Sequence, residues 1–226
     1  MNDAPRLIAA LDTSAGTASF AVLDDAGVLR VEQNGLPLSR ASAELCDRVL
    51  AALGPAGLTL GQIRHWLVGM GPGSFTGIRV GAALVEGVCA GTGAACQGVP
   101  SSLALVRQAA APGDRRVTVL HDGCHGDAIV SDYRRAGADW DPVGDARALP
   151  AAELDPAAAD CFIALNQARL LAALPAAVRA RAIVVEGVAA RHFLLPAIPA
   201  LAGPLAPVYV RPAVFVPPVI PKIQKP

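Results

Sequence analysis

Lysine is almost missing from this chain of 226 residues: none precedes Lys222, and the other basic residues are arginines. That absence removes a phosphate-binding P-loop, which needs G-x-x-x-x-G-K-[ST]. Aromatic residues make up only 4% against 53% hydrophobic residues, so a core has to be built from Ala, Val and Leu. Five cysteines (Cys46, Cys89, Cys96, Cys124, Cys161) are odd in number and contain no C-x-x-C pair. A disulfide framework or a zinc knuckle is therefore not expected. Charge of either sign is not in excess, with 19 Lys+Arg and 19 Asp+Glu. A dedicated nucleic-acid surface normally shows a basic excess and stacking aromatics, so this balance argues against one. There is no charged segment leading into an apolar stretch at the start, and no apolar run of membrane-spanning length. The expectation is a cytoplasmic protein with no membrane contact.

Glycine, by contrast, is concentrated. Gly69, Gly71, Gly73, Gly77 and Gly81 fall within the run Gly69-Met70-Gly71-Pro72-Gly73-Ser74-Phe75-Thr76-Gly77-Ile78-Arg79-Val80-Gly81. The run follows the apolar Trp66-Leu67-Val68 and leads into a helix. A glycine-dense turn between strand and helix marks backbone that approaches something closely or adopts φ > 0. Its amides at the helix entrance suit an anion or a polar group of a partner. The dinucleotide fingerprint fails, because Ser74 stands where G-x-G-x-x-G needs its third glycine. The nucleophile elbow fails too, since the serine is not central in G-x-S-x-G. A turn that only shapes the fold accounts for the same residues equally well.

Hydrophobic patterning predicts strands at Leu7–Leu11, Thr17–Leu23 and Val28–Gln33, the last two joined by the hairpin signal Asp24-Asp25-Ala26-Gly27. A helix over Arg40–Leu53 follows, with Ser39 as its N-cap, then a strand at Trp66–Met70 and a helix over Thr76–Ala90. A strand at Ala94–Val99 and a helix from Pro100-Ser101-Ser102 to about Ala111 end at the break Pro112-Gly113-Asp114. Beyond it, strands are expected at Val117–Leu120, Ala128–Val130, Phe162–Leu165 and Ile183–Val185, with helices at Gln167–Leu174 and Val188–Leu195. Arg147–Ala159 reads as mixed helix and loop, and the proline-rich Pro217–Pro226 as an extended or disordered tail. The domain expectation is 1–112, 113–216 and a tail from 217 to 226. Element order alone supports a generic α/β fold.

The run Gly71-Pro72-Gly73-Ser74-Phe75-Thr76-Gly77-Ile78-Arg79-Val80-Gly81 resembles the signature G-P-G-S-F-T-G-[LI]-R-[IV]-G of the TsaB family, bacterial partner subunits in threonylcarbamoyladenosine modification of tRNA. Leu7-Ile8-Ala9-Ala10-Leu11-Asp12-Thr13-Ser14 is similar to that family's opening strand and D-T-S turn, and Arg40-Ala41-Ser42-Ala43-Glu44-Leu45 to its first-helix segment. The likeness covers roughly residues 6 to 110 and weakens beyond Gly113. It implies an α/β, two-lobe actin/Hsp70-like (ASKHA) fold, with mixed sheets flanked by helices and a truncated second lobe. It further implies a non-catalytic scaffold subunit without a cofactor, which supports a catalytic TsaD-like paralogue at position 37 of ANN-decoding tRNAs. A small TsaE-like ATPase would join the complex, tRNA would be met only through the complex, and the chain alone would form a homodimer. Docking would use the two helices, with Ala41, Leu45, Val49, Arg79, Ala82, Val85 and Glu86 as interface residues. The chain departs from the family pattern at Ala41 (usually histidine), at Asp47 (often proline) and at Asp122-Gly123-Cys124 (D-A-R).

Three constellations invite chemistry. Asp12, Thr13 and Ser14 at a strand end fit a vestigial nucleotide site, with Asp12 near a metal and the hydroxyls on phosphate. A carboxylate that caps its own turn fits as well. His121 and His125 form H-x-x-x-H, but on a strand-turn stretch where the rings need not converge, so no metal is expected. The family's catalytic subunit carries metal-binding histidines where this chain reads Pro100-Ser101-Ser102-Leu103. Cys124 between those histidines suggests a Cys–His nucleophile, against which stands the lack of an orienting third group. The rival functions are a catalytically active transferase or protease of the same fold, and a diverged stand-alone interaction module.

Overall fold

The computed structural model describes residues 7–38, 43–194 and 205–210. Ser39, the Arg40–Ser42 part of the first-helix segment, the docking residue Ala41 and the tail from Pro217 lie outside these. The first sheet holds β1 (Leu7–Asp12), β2 (Thr17–Leu23), β3 (Leu29–Pro37), β4 (Ile63–Gly69) and β5 (Ala95–Val99), in the order β3-β2-β1-β4-β5. β1 runs antiparallel to β2, and β2 to β3, whereas β4 lies parallel to both β1 and β5. The parallel steps need crossovers. They are made by α1 (Ala43–Leu53), ahead of β4, and α2 (Phe75–Thr92), ahead of β5.

After α3 (Ser101–Ala109) the plan repeats. The second sheet holds β6 (Arg116–Asp122), β7 (Asp127–Ala136), β8 (Asp139–Pro142), β9 (Arg147–Pro150), β10 (Cys161–Leu165) and β11 (Ala182–Val185). Its order β11-β10-β6-β7-β8 mirrors that of the first sheet strand for strand, with the antiparallel hairpin β6–β7 in the place of β1–β2. Two short helices, α4 (Ala168–Ala173) and α5 (Ala176–Arg179), follow β10, and after β11 the chain returns to the first sheet, where α6 (Arg191–Leu194) packs on β1, β2 and β4. The result is a two-lobe α/β fold of mixed sheets flanked by helices. No helix among the described residues is long and apolar enough to cross a membrane.

The differences from the sequence expectations have physical reasons. Arg147–Pro150, expected as mixed helix and loop, is strand β9. It pairs with Asp127–Val130 at one end of the ten-residue β7, while β8 takes Tyr133–Ala136 at the other. Such pairing is non-local and leaves little trace in a four-residue segment. The helix expected over Val188–Leu195 shrinks to Arg191–Leu194 within the described residues. The Gln108 side chain holds the preceding backbone, donating to Gly187 O and accepting from Ala189 N.

Few aromatics leave the core to small aliphatic side chains, with Trp66 and Phe20 stacked at 5.8 Å beneath α1 and α2. A second apolar cluster runs through both lobes and joins Ala10, Leu67 and Val99 to Val119, Ile163 and Leu165. α3 lies in this seam with Ser101, Ser102, Ala104, Leu105 and Val106 all buried. Its last turn pins the second lobe. Arg107 forms a bidentate pair with Asp139 at 2.9 and 2.5 Å and donates to the carbonyls of His192 and Phe193. The Arg107 side chain is only 5% exposed and that of Asp139 33%, so the pair is shielded on the arginine side and reached by solvent on the carboxylate side.

Removing Arg107 takes two donors from Asp139 and one from the carbonyls of His192 and Phe193. Arg107→Met is therefore expected to cost about 2 kcal/mol in urea unfolding, against less than about 0.5 kcal/mol for the surface control Arg48→Met. Equal costs for the two variants would show that the seam does not depend on Arg107.

Candidate functional site

The glycine run and the Asp12-Thr13-Ser14 turn form one interlocked unit. β1 delivers Asp12 at its end, and β4, parallel to it, delivers Gly69 at the neighbouring position. From there the chain turns over the D-T-S segment. Ser74 N donates to Ser14 O at 2.7 Å, and Thr13 Oγ1 donates to Gly77 O at 2.7 Å. The approach is so close that a side chain cannot be inserted. A Cβ on Gly69 would overlap the Asp12 carboxylate, one on Gly77 the Thr13 carbonyl, and one on Gly81 would stand 2.5 Å from Thr13 Oγ1. Gly73 combines contact with Ser14 O and a φ of 155°, and Gly71 has a φ of 88° before a cis peptide to Pro72. Those backbone angles exclude β-branched residues. Ser74 caps α2, its hydroxyl accepting from Gly77 N at 3.2 Å.

Asp12, Thr13 and Ser14 are all buried. The Asp12 carboxylate accepts from Ser14 N and Ser14 Oγ at 2.9 Å and from Ser101 Oγ at 2.6 Å. Ser101 Oγ in turn accepts from Gly71 N at 3.0 Å, so α3, the loop and the turn meet at one carboxylate. Burial pushes the Asp12 pKa above the usual carboxylate value, against the opposing pull of its hydrogen bonds from Ser101 and Ser14. Ser101 and its bond to Asp12 were not foreseen. The only signal was a serine directly after Pro100, which also reads as an ordinary helix start.

The expected docking residues divide. Leu45, Val49 and Val85 are core residues, at 3%, 2% and 0% exposure, and not surface. Leu45 and Val49 share a helical stripe with Leu53, and Val85 shares one with Ile78 and Gly81; both stripes lie on the first sheet. Ala82 is half-buried, and Arg79 and Glu86 are exposed. The outward face of α1 and α2 is built instead around Leu50 and Phe75, exposed at 45% and 49%. Between the helices lies a groove of about 620 Å³ lined by Cys46, Phe75, Thr76, Arg79, Ala83 and Leu84, among others. The Arg79 guanidinium lies over the Phe75 ring at 3.9 Å, and Tyr209 meets the same ring at 5.6 Å. Val208 N donates to Met70 O at 2.8 Å, so residues 205–210 return to the glycine loop.

In the second lobe His121 is buried in β6, where burial lowers its pKa to about 4, and neither ring nitrogen finds a hydrogen-bond partner among the described residues. His125 and Cys124 are exposed in the turn, with φ of 55° and 61°. The two histidines therefore sit in different surroundings, one in the sheet and one in solvent. Cys124 N donates to the Asp122 carboxylate at 2.8 Å, which fixes the turn locally.

Comparison with known proteins extends beyond the motif region. A family model described as TsaD: tRNA N6-adenosine threonylcarbamoyltransferase matches residues 38–168, more than half of the chain. The tRNA threonylcarbamoyladenosine biosynthesis protein TsaB of Escherichia coli (strain K12) is 29% identical over 138 residues, covering 57% of this chain and 55% of that protein. The match thus spans about half the length of this curated relative. Among solved structures, a Pseudomonas aeruginosa protein described as similar to peptidase YeaZ superposes with a TM-score of 0.68 at 23% identity, over 91% of this chain and 100% of that one. YeaZ from Pseudomonas aeruginosa superposes with a TM-score of 0.66 at 21% identity, over 84% and 89%. At these identities the structures speak for the fold.

Two outcomes follow from the interlock. Gly77→Ala is expected to lower stability by about 3 kcal/mol, because the added methyl must displace the Thr13 backbone. Gly91→Ala on the same helix, where a Cβ meets nothing within 4 Å, should instead stabilise by up to about 1 kcal/mol. Thermal melts that rank the two variants the other way would contradict this packing.

The second outcome concerns pH. A carboxyl whose folded pKa is raised adds stability fully present below its unfolded pKa, and lost as pH rises through the folded value. Wild type should therefore be favoured over Asp12→Asn most at about pH 4 and progressively less towards about pH 8. Melts of both proteins at those pH values check the sign, and an advantage that grows with pH would refute it.

Proposed function

Because the chain belongs to the tRNA N6-adenosine threonylcarbamoyltransferase (TsaD) family, with a TsaB-like, actin-type fold, we propose that it is the non-catalytic scaffold subunit of a threonylcarbamoyladenosine-forming complex. In this reading a catalytic TsaD-like paralogue transfers the threonylcarbamoyl group to position 37 of ANN-decoding tRNAs in the cytoplasm. The present chain docks with it through α1 and α2, a TsaE-like ATPase joins them, and two copies pair through the same face when the partner is missing. No cofactor is assigned to this chain.

The observation that carries the proposal is the closure of the glycine run onto the D-T-S turn. The elements that would hold a phosphate are engaged with one another: the Asp12 carboxylate with two serines, the Ser74 hydroxyl with its own helix. The same closure fixes the start of α2, so Phe75, Arg79 and Leu84 stand at the edge of an apolar groove facing outward. Apolar helix pairs of this kind associate readily as four-helix interfaces, and a symmetric pair is the usual form of self-association. The Asp12–Ser14 turn serves, on this account, to position a docking surface.

The test is reconstituted tRNA modification with the partner subunits, together with size-exclusion chromatography of the chain alone. Leu50→Asp and Phe75→Asp are expected to keep their fold, elute as monomers and weaken partner binding at least tenfold, about 1.4 kcal/mol. Ser74→Ala should cost about 1 kcal/mol of stability and leave modification intact. Folded Leu50→Asp and Phe75→Asp proteins that still dimerise and support modification would remove the docking face. A folded Ser74→Ala protein that binds its partners yet abolishes modification would point to chemistry at the loop.

A further inference from the structure

Four of the arginines meet in one groove. Arg115 and Arg116 at the start of β6, and Arg134 and Arg135 near the end of β7, line a depression of about 520 Å³ together with Asp114 and Gly137. Arg116 stands directly opposite Arg134 in the antiparallel register, with Asp160 paired to Arg116 and Asp141 of β8 opposite Arg134 on its other side. Arg135 is held in place from below: Nε donates to Asp114 O and Nη2 to Ala111 O, both at 2.7 Å, and its guanidinium lies 4.3 Å over the Trp140 ring. The guanidinium groups of Arg115 and Arg134 make no hydrogen bond or ion pair among the described residues, and both residues are exposed.

Three carboxylates moderate the patch, one of them Asp141, directly opposite Arg134 on β8. Asp160 accepts from the Arg115 and Arg116 backbone amides at 2.9 Å and pairs with the Arg116 side chain at 3.6 Å. Asp114 accepts from Ala111 N at 2.7 Å. The four arginines still outnumber them, in a chain whose formal net charge is zero.

We infer that this groove on the second lobe binds backbone phosphates of the RNA substrate. The inference rests on the tRNA-modification reading and adds to it a direct contact by this chain. Guanidinium forks match phosphate oxygens, and a phosphodiester between two facing arginines can accept from both at once. A chain of phosphates then supplies successive anions along the strand edge. The one aromatic ring of the patch, Trp140, is buried beneath Arg135, so no base-stacking platform is offered. The contact therefore positions RNA without reading its sequence. It lies on the other lobe from α1 and α2, so RNA and partner subunit do not compete for one face.

The experiment measures fluorescence anisotropy of an end-labelled, unmodified tRNA transcript against the full chain, as a function of KCl. Arg115→Ala/Arg134→Ala is the test variant and Arg169→Ala/Arg179→Ala, also two exposed arginines of the second lobe, the control. The test variant should weaken binding at least fivefold at low salt and flatten the log K against log salt slope by about 1.5, roughly 0.7–0.9 for each phosphate no longer neutralised. The control should match wild type. No salt-sensitive binding by wild type, or equal binding by both variants, overturns the inference. Competition by poly-glutamate as effective as by unlabelled tRNA also overturns it, in favour of an acidic protein partner. Reconstituted modification is run in parallel, where the variant should raise KM for tRNA and leave kcat unchanged. If wild type supports no modification, the functional reading fails while anisotropy still judges the groove.

Discussion

The close approach of α2 to the Asp12-Thr13-Ser14 turn is the constraint on which the rest of the structure depends. Gly73, Gly77 and Gly81 remove the side chains that would keep the helix about a Cβ further away, and Gly69, at the end of β4, leaves room for the Asp12 carboxylate. What replaces side-chain packing is hydrogen bonding to the backbone, from Ser74 N to Ser14 O and from the Thr13 hydroxyl to Gly77 O. Such contacts tolerate little adjustment, because at Gly73 and Gly77 backbone faces backbone and the β-branched Thr13 is stiff at χ1. The first two turns of α2 therefore have one position relative to the sheet. Its rotation about its own axis is fixed as well, with Ile78, Gly81 and Val85 inward and Phe75, Arg79 and Ala83 outward.

That rotation explains why the sequence reading found the right elements but mixed two faces of them. The strands of the first lobe, α2 and the D-T-S turn were legible, because each is a contiguous run with a strong period or a distinctive turn chemistry. The sidedness of α2 was not. Val80, Leu84, Val85, Val88 and Cys89 spread apolar residues around much of the helix, and periodicity cannot say which stripe meets the sheet. The answer lay in the glycines, whose inward face is defined by what they approach and not by their own hydrophobicity. Leu45 and Val49 failed for a simpler reason: they carry the core stripe of an amphipathic helix, and the exposed Leu50 beside them is an exception to its pattern. In the second lobe, β9 is four residues long and takes its conformation from β7, and α5 is a single turn, too short to carry a period.

The placement of charge is a further feature that a linear reading does not give. Equal numbers of acidic and basic residues exclude a protein that is basic all over, but a sum says nothing about placement. Arg115, Arg116, Arg134 and Arg135 are two adjacent pairs, separated in sequence and joined by the β6–β7 register. The pairing that collects them also prevents their being noticed, since each pair alone is ordinary for an arginine-rich chain. The near-absence of lysine sharpens the point: a rigid, planar guanidinium can be braced on carbonyls and an aromatic ring, as Arg135 is, in a way that an ammonium cannot.

Ser101 ties these regions together. It opens α3, the helix buried in the seam between the lobes, and its hydroxyl accepts from Gly71 N while donating to Asp12. The far end of the same helix holds Asp139 of the second lobe through Arg107, and Ser102 shares a hydrogen bond of 2.8 Å with the buried Tyr133. Separating the lobes would therefore expose the shared apolar cluster and also strip the Asp12 carboxylate of one of its donors. A carboxylate already raised in pKa by burial is poorly placed to lose a hydrogen bond, which makes opening of the seam costlier than its apolar area alone implies. The hydrogen bonds run from loop to turn to α3, so a force applied at the α1–α2 face is met by the second lobe as well as the first. On the proposed reading, a docking surface backed in this way is presented as a rigid body, which reduces the ordering cost of binding.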